Sequence, residues 1–320
     1  MTDITLQNFE ADLINESMQQ PVLLDIWAPW CGPCRTLGPM LEKLEVAYEG
    51  RFKLTKLNSD DQPEIAGQLS QAFGVRSIPF CVMFSQGQPV DGFVGALPEA
   101  EIRKFLDKHV PSFDELEAEA ETDAAEELIA EGDTESALDK LQQAVAIDPA
   151  NDAVRADYLK LLLQLGADDP ARVVQARQAF EPAASKVMLD ARLAAIEHWL
   201  KASEAAPQAR PAQALAEAIA ANKRDFDARF ELAQTHFAAG RFTEAMDELL
   251  EIVMRDKAWN QELARKTYVA ILELMNKPAP KSAAEAGAGK STLELTGKAA
   301  VAPADPVLDQ YRRKLSMALF

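Results

Sequence analysis

The sequence predicts a small α/β domain followed by an all-α domain of repeated helix pairs. Three observations carry this expectation. Strand and helix patterns alternate over about the first 110 residues, the charge pattern changes abruptly after Lys108, and the strand-poor remainder repeats glycine and alanine at an interval of 34 residues.

Within the first part, "FEADLINESM" sets Phe9, Leu13 and Ile14 on one helical face. "VLLDIWA" is a short apolar run suited to a fully buried strand, and "GPCRTLGPMLEKLEVAYE" reads as a helix. "FKLTKLN" alternates as a strand, "FCVMF" is a further strand, and "PVDGFVG" follows the turn "SQGQ" as its hairpin partner. The helix "PEAEIRKFLDKHV" closes a unit that ends near Val110.

Between Lys108 and Lys140 there is no Lys or Arg, whereas twelve Asp and Glu residues fall between Asp114 and Asp139. This predicts a boundary at 110/111 and a solvated acidic linker running into the exposed face of a helix. From there to Asn276, "EGDTESALDKLQQAVAIDPAN" carries Gly132, Ala137, Leu141, Ala144 and Pro149 at the spacing of a tetratricopeptide-repeat joint and second helix. Gly166 and Ala171 repeat Gly132 and Ala137, and "AGRFTEAMDELLEIV" offers a third joint at Gly240 and Ala245, while Val187 to Asn222 fits poorly. Three to four stacked repeats are expected, one of them irregular, because each helix pair leaves an apolar face that it cannot bury alone.

Residues 277–304 are rich in Ala, Gly, Pro, Ser and Thr and read as a tether. Their "GAGKST" is set aside as a phosphate loop, because Ala284 stands where the first glycine is needed. Residues 305–320 return to a helical pattern, with Leu308, Tyr311, Leu315, Leu319 and Phe320 along one side and Arg312, Arg313 and Lys314 together. This basic amphipathic segment is either a docking peptide, with Tyr311, Arg312, Arg313, Leu315 and Phe320 as contacts, or a helix that folds back to cap the last repeat.

A chain with 48% hydrophobic and 26% charged residues can bury real cores, and a net charge of −18 argues against nucleic acid and anionic membrane surfaces. No apolar stretch approaches the roughly 20 residues that span a bilayer, and the N-terminus lacks a signal-peptide pattern, so a cytoplasmic location is expected. Three cysteines are too few for a disulfide scaffold.

The chemistry concentrates in "WCGPC". Cys31 should sit at a helix N-terminus, where free backbone N–H groups and the helix dipole favour its thiolate and make it the nucleophile. Cys34, one turn on, can attack a mixed disulfide on Cys31 and release the substrate. Asp25, the one charge in an apolar strand, is expected to be a proton acceptor for Cys34 with its pKa raised by burial, and Lys56 on the next strand is its expected partner. A zinc clip would need ligands that Cys81, His109, His198 and His236, widely scattered, do not supply. No metal or cofactor is expected, and Cys81 reads as a small apolar core residue.

With Asp25, "WCGPC", Pro39, Lys56, "SIPF" and "FVGAL" in this order, residues 1–110 resemble thioredoxin. The resemblance implies that Pro79 is cis and that Trp30, Ile78, Pro79 and Gly95 surround Cys31 and receive substrate as an added strand. The whole chain, with acidic linker, tetratricopeptide-like helices, "RKTYVAILELMN" and "YRRKL", resembles the bacterial chaperedoxin family of the CnoX or YbbN type. That resemblance implies a redox-active holdase: it binds unfolding or oxidised clients, protects or reduces their cysteines, and passes them to a GroEL-type chaperonin through the C-terminal segment. A thioredoxin reductase is the implied electron donor. Some members lack the first active-site cysteine, whereas this chain keeps both. The alternative is a dedicated disulfide reductase whose repeats select one partner.

Overall fold

The computed structural model describes residues 2–276 and 305–319. The tether, its "GAGKST" and Phe320 lie outside the described residues. Two compact units separate between Phe113 and Asp114.

The first unit is a five-stranded sheet in the order β1-β3-β2-β4-β5, formed by β1 (Thr2–Asp3), β2 (Val22–Trp27), β3 (Lys53–Asn58), β4 (Phe80–Ser85) and β5 (Gln88–Val94). β1 and β2 run parallel to β3, β4 runs antiparallel to β2, and β5 runs antiparallel to β4. Gln86 and Gly87 both adopt positive φ in the β4–β5 turn, the twist that a two-residue hairpin requires. Alternation along the central strand sorts two cores. Val22, Leu24 and Ile26 pack with Phe9, Leu13 and Leu69, whereas Leu23 packs with Leu37, Leu41 and Leu106. The helices are α1 (Gly32–Ala47), α2 (Pro63–Phe73) and α3 (Glu99–His109). α2 was not anticipated: its buried Ile65, Ala66 and Leu69 are few and are separated by Gly67 and Gln68.

The second unit contains α4 (Phe113–Glu131), α5 (Thr134–Ile147), α6 (Asp152–Leu165), α7 (Pro170–Phe180) and α8 (Ala191–Ala205). It continues with α9 (Ala212–Ala221), α10 (Phe226–Ala238), α11 (Phe242–Arg255), α12 (Trp259–Met275) and α13 (Pro306–Leu319). Asp133, Asn151, Asp169, Asp190 and Asp225 cap the N-termini of α5, α6, α7, α8 and α10 through side-chain oxygens. One apolar core runs from Ala125 to Leu315, with Trp199 stacked on Phe237 at 6.0 Å and edge-on to Phe242 at 5.1 Å.

Two sequence expectations need correcting here. The acidic stretch does form the exposed face of a helix, but that helix, α4, begins at Phe113 and leaves almost no linker before it; it buries Ala118, Thr122 and Ala125, small residues that give little apolar signal. Gly132 and Gly240 have φ of 87° and 69° at helix joints, as expected of left-handed turns, but Gly166 has φ −67°. Its role is space, since an added Cβ would meet Val173 Cγ2 at 2.9 Å. Ala171 is exposed, and Val173 and Ala176 take the buried positions that the repeat register assigned to it.

Candidate active site

Strand β2 delivers Asp25 and Trp27 to the end of the sheet, and the chain then turns into α1 with Cys31 as its N-cap. Cys31 Sγ accepts the Cys34 backbone N–H at 3.2 Å, which directs a terminal N–H of the helix at the sulfur. Pro33 occupies the first turn, where its missing N–H costs nothing, and Pro39 sits inside the helix. Cys31 and Cys34 are joined as a disulfide with Cα atoms 5.3 Å apart. They are only 3% and 4% exposed and pack against Ala28, Trp27 and Ile78.

The Ile78–Pro79 peptide is cis, and Gly95, at φ 88°, donates its N–H to the Pro79 carbonyl at 2.8 Å. Ile78 therefore lies at the cysteine pair, while Gly95 is tied to the same loop from β5. Trp30 is 69% exposed, and its indole N–H donates to Asp60 Oδ2 at 3.0 Å.

Behind the pair lies an open cleft of about 240 Å³ lined by Asp25, Cys34, Gly38, Glu42 and Lys56, among others. In the sheet register Asp25 faces Lys56 on one neighbour and Cys81 on the other, so the three share one face. Burial pushes Asp25 up to about 6, against the opposing pull of the Lys56 charge and of the Cys81 thiol. Such a carboxyl changes charge close to neutral pH, which suits proton exchange with a neighbouring thiol.

The ammonium of Lys56 is not bonded to Asp25 as expected: it pairs with Glu42 Oε1 at 2.8 Å and acts on Asp25 only through space. Glu42 was missed, although Cys34, Gly38 and Glu42 recur every four residues and so mark one helix face. Cys81 is fully buried, as a core residue should be, but it also donates to Asp25 Oδ1 at 3.7 Å. Burial, and then the adjacent carboxylate, hold its own pKa well above the ordinary thiol value.

The tail residues lie in the helical unit. Tyr311 and Leu315 are buried with Leu308 in its core, so these side chains cap the repeats and are not free contacts in this conformation. The Tyr311 carbonyl accepts from Tyr268 Oη at 2.8 Å, and the Tyr311 hydroxyl donates to Asp247 at 3.1 Å. Arg312 donates to Asn276 Oδ1 at 2.6 Å, and Arg313 is exposed. Among the described residues, no group of three or more His, Cys, Asp or Glu side chains is placed to hold a metal ion.

A CxxC disulfide capping a helix beside a cis-proline loop defines a dithiol-exchange domain of the thioredoxin fold, here joined to a helical-repeat unit. Residues 1–108 match the thioredoxin family model, and two tetratricopeptide-repeat models match residues 128–178 and 205–285. Over 107 residues the chain is 40% identical to Thioredoxin 1 of Nostoc sp., covering 94% of that protein and 33% of this one. It is 45% identical over 108 residues to Thioredoxin 2 of Chlorobaculum tepidum, covering 94% of that protein and 34% of this one. With Thioredoxin of Haemophilus influenzae it shares 41% identity over 103 residues, 91% of that protein and 32% of this chain. Through its first domain the chain belongs to the thioredoxin family, and as a whole it is a thioredoxin–tetratricopeptide fusion. The cysteine pair and these relatives support thiol–disulfide oxidoreductase activity.

Proposed function

We propose that this protein is a redox-active holdase of the chaperedoxin type: it holds unfolding or oxidised proteins on its repeats and exchanges disulfides with them through Cys31. The observation that carries this reading is the union, on one chain, of an intact dithiol site with a repeat unit far larger than a reductase needs. An exchange enzyme must retain its target only through two thiol steps, whereas an aggregating client must be held for longer, over more surface.

In the reaction, the Cys31 thiolate attacks a client disulfide, one client sulfur leaves as thiolate, and a mixed disulfide forms. Cys34, giving its proton to Asp25, then attacks Cys31 Sγ, and the second client sulfur leaves. The client gains two electrons, and the Cys31–Cys34 disulfide forms. A thioredoxin reductase would restore the dithiol. Trp30, Ile78, Pro79 and Gly95 would guide the client as an extended strand, a role supported by the position of Ile78 against both cysteines.

The C-terminal segment 305–320 would deliver clients to a GroEL-type chaperonin, with the exposed Arg312 and Arg313 as its contacts, Arg312 exchanging its bonds to Asn276 and Asp309 for the partner, and the protein would act in the cytoplasm. No helix among the described residues is long and apolar enough to cross a membrane. Co-purification of chaperonin with the full chain, lost on deletion of residues 305–320, is the expected result; unchanged co-purification would remove the tail from the proposal. Client retention by Cys31→Ser is expected to survive. Its loss would favour the dedicated reductase.

A further inference from the structure

Two clefts open side by side on the repeat unit, between the C-terminal end of α8 and one face of α10, and share Ala206 and Thr235. The first, about 390 Å³, is walled by the half-buried rings of Phe230 and Trp259, whose centroids are 5.3 Å apart, and by Asp227, Glu231 and Gln234. The second, about 480 Å³, is lined by small and aliphatic groups, including Val173, Val174, Pro207 and Ala238. Asp227, Phe230, Glu231, Gln234, Thr235 and Ala238 recur at helical spacing and make one continuous face of α10.

Three observations say what such a groove accepts. Neither cleft is lined by a Lys or Arg, whereas Asp227, Glu231 and Glu204 contribute carboxylates. Glu231 is held by Arg210 and Glu204 by Arg177, whereas Asp227 is exposed, feels the Arg210 charge only through space, and makes no hydrogen bond or ion pair among the described residues. The terminal carbonyls of α8, which ends at Ala205 on the rim of the first cleft, add negative potential there, and the aromatic faces favour a cation in contact with them. Ser203, 7% exposed, lines the aliphatic cleft, and its hydroxyl has no hydrogen-bond partner in the described structure.

We propose that this groove binds an extended peptide segment, seating an Arg or Lys side chain between Trp259, Phe230 and Asp227 and a neighbouring aliphatic side chain against Val173 and Ala238. The site rests on the reading of the repeat unit as the client-binding part, and it gives that part a preference for segments that alternate cationic and aliphatic residues. It does not use the dithiol.

The test is fluorescence anisotropy with the full chain carrying Cys31→Ser and Cys34→Ser. The probe is a fluorescein-labelled peptide of alternating leucine and arginine, compared with its citrulline counterpart, which keeps shape and loses charge. The arginine peptide should bind about tenfold more tightly. Asp227→Lys should remove most of that preference, and Glu127→Lys, an equal charge change at an exposed position of α4, should leave it in place. Equal affinity for the two peptides, or equal weakening by the two lysine variants, would overturn the proposal, the latter by reducing the effect to the net charge of the chain. Concentration-dependent self-association abolished by Asp227→Lys would give the groove to a second copy and also overturn it. Suppression of client aggregation is scored in parallel: if it persists while the peptide preference fails, the groove is wrong and the holdase reading stands, and the reverse result sinks the holdase alone.

Discussion

The Cys81 thiol donates to Asp25 Oδ1 at 3.7 Å from the adjacent strand, beneath the carboxyl that faces the cysteine pair. This donor favours the charged form of Asp25 and offsets part of the burial that pushes it up to about 6. Cys81→Ala should raise the Asp25 pKa further and move the pH midpoint of disulfide reduction upward. Cys81→Ser, which keeps a donor, should restore it. The check is the pH profile of insulin reduction under single-turnover conditions; superimposable profiles for the parent and Cys81→Ala would refute the coupling.

Glu42 holds the Lys56 ammonium at 2.8 Å. In Glu42→Gln the lysine is released toward Asp25, so the carboxyl should become more acidic and the same midpoint should move downward. Opposite shifts from Glu42→Gln and Cys81→Ala in one assay would separate electrostatics from general damage to the site.

Asp25 also links stability to pH. Its folded pKa of about 6 stands above the ordinary 3.8, so the native state holds the proton longer, and stability falls as pH rises from about 4 to 6. At pH 7 the buried carboxylate costs on the order of 3 kcal/mol. Asp25→Asn should therefore stabilise the oxidised protein against urea by up to about that amount at pH 7 and hardly at all at pH 4. A gain independent of pH would contradict this origin.

The C-terminal helix is held by Leu308, Tyr311 and Leu315 and by the bonds of Tyr311 and Lys314 to Asp247. Leu315→Asp would bury a charge without a partner, so α13 should detach rather than accept it. Trypsin cleavage at Arg312, Arg313 and Lys314 should then accelerate at least about tenfold. Tyr311→Phe, which loses one hydrogen bond worth about 1 kcal/mol, should change it little.

How far the sequence reveals these features depends on what each residue type announces. Cys31, Cys34 and the apolar run around Asp25 are legible because thiols at that spacing and a charge in a core strand have few other uses. The Lys56–Glu42 pair and the Cys81–Asp25 contact are not, because Glu42 looks like an ordinary surface charge and Cys81 like a core residue, and only the packing of α1 on β3 and of β4 on β2 brings them into place. The early start of helix α4 is hidden because the alanines and threonine it buries cover little area. The repeat joints at Gly132 and Gly240 are marked by backbone conformation, whereas Gly166 repeats the residue without the geometry, which shifts the next helix face from Ala171 to Val173. The tail pattern showed an apolar stripe but not its cover; that depended on Tyr268 and Asp247, which lie 43 and 64 residues from Tyr311.

The central claim is that the chain holds clients independently of its thiols. The most direct measurement is light scattering from a heat- or urea-unfolded client that contains no cysteine, with and without this protein carrying Cys31→Ser and Cys34→Ser. The account predicts suppression of aggregation near stoichiometric ratios. Unchanged scattering, both before and after oxidant treatment of the protein, would contradict it and leave a disulfide reductase with a partner-selecting repeat unit.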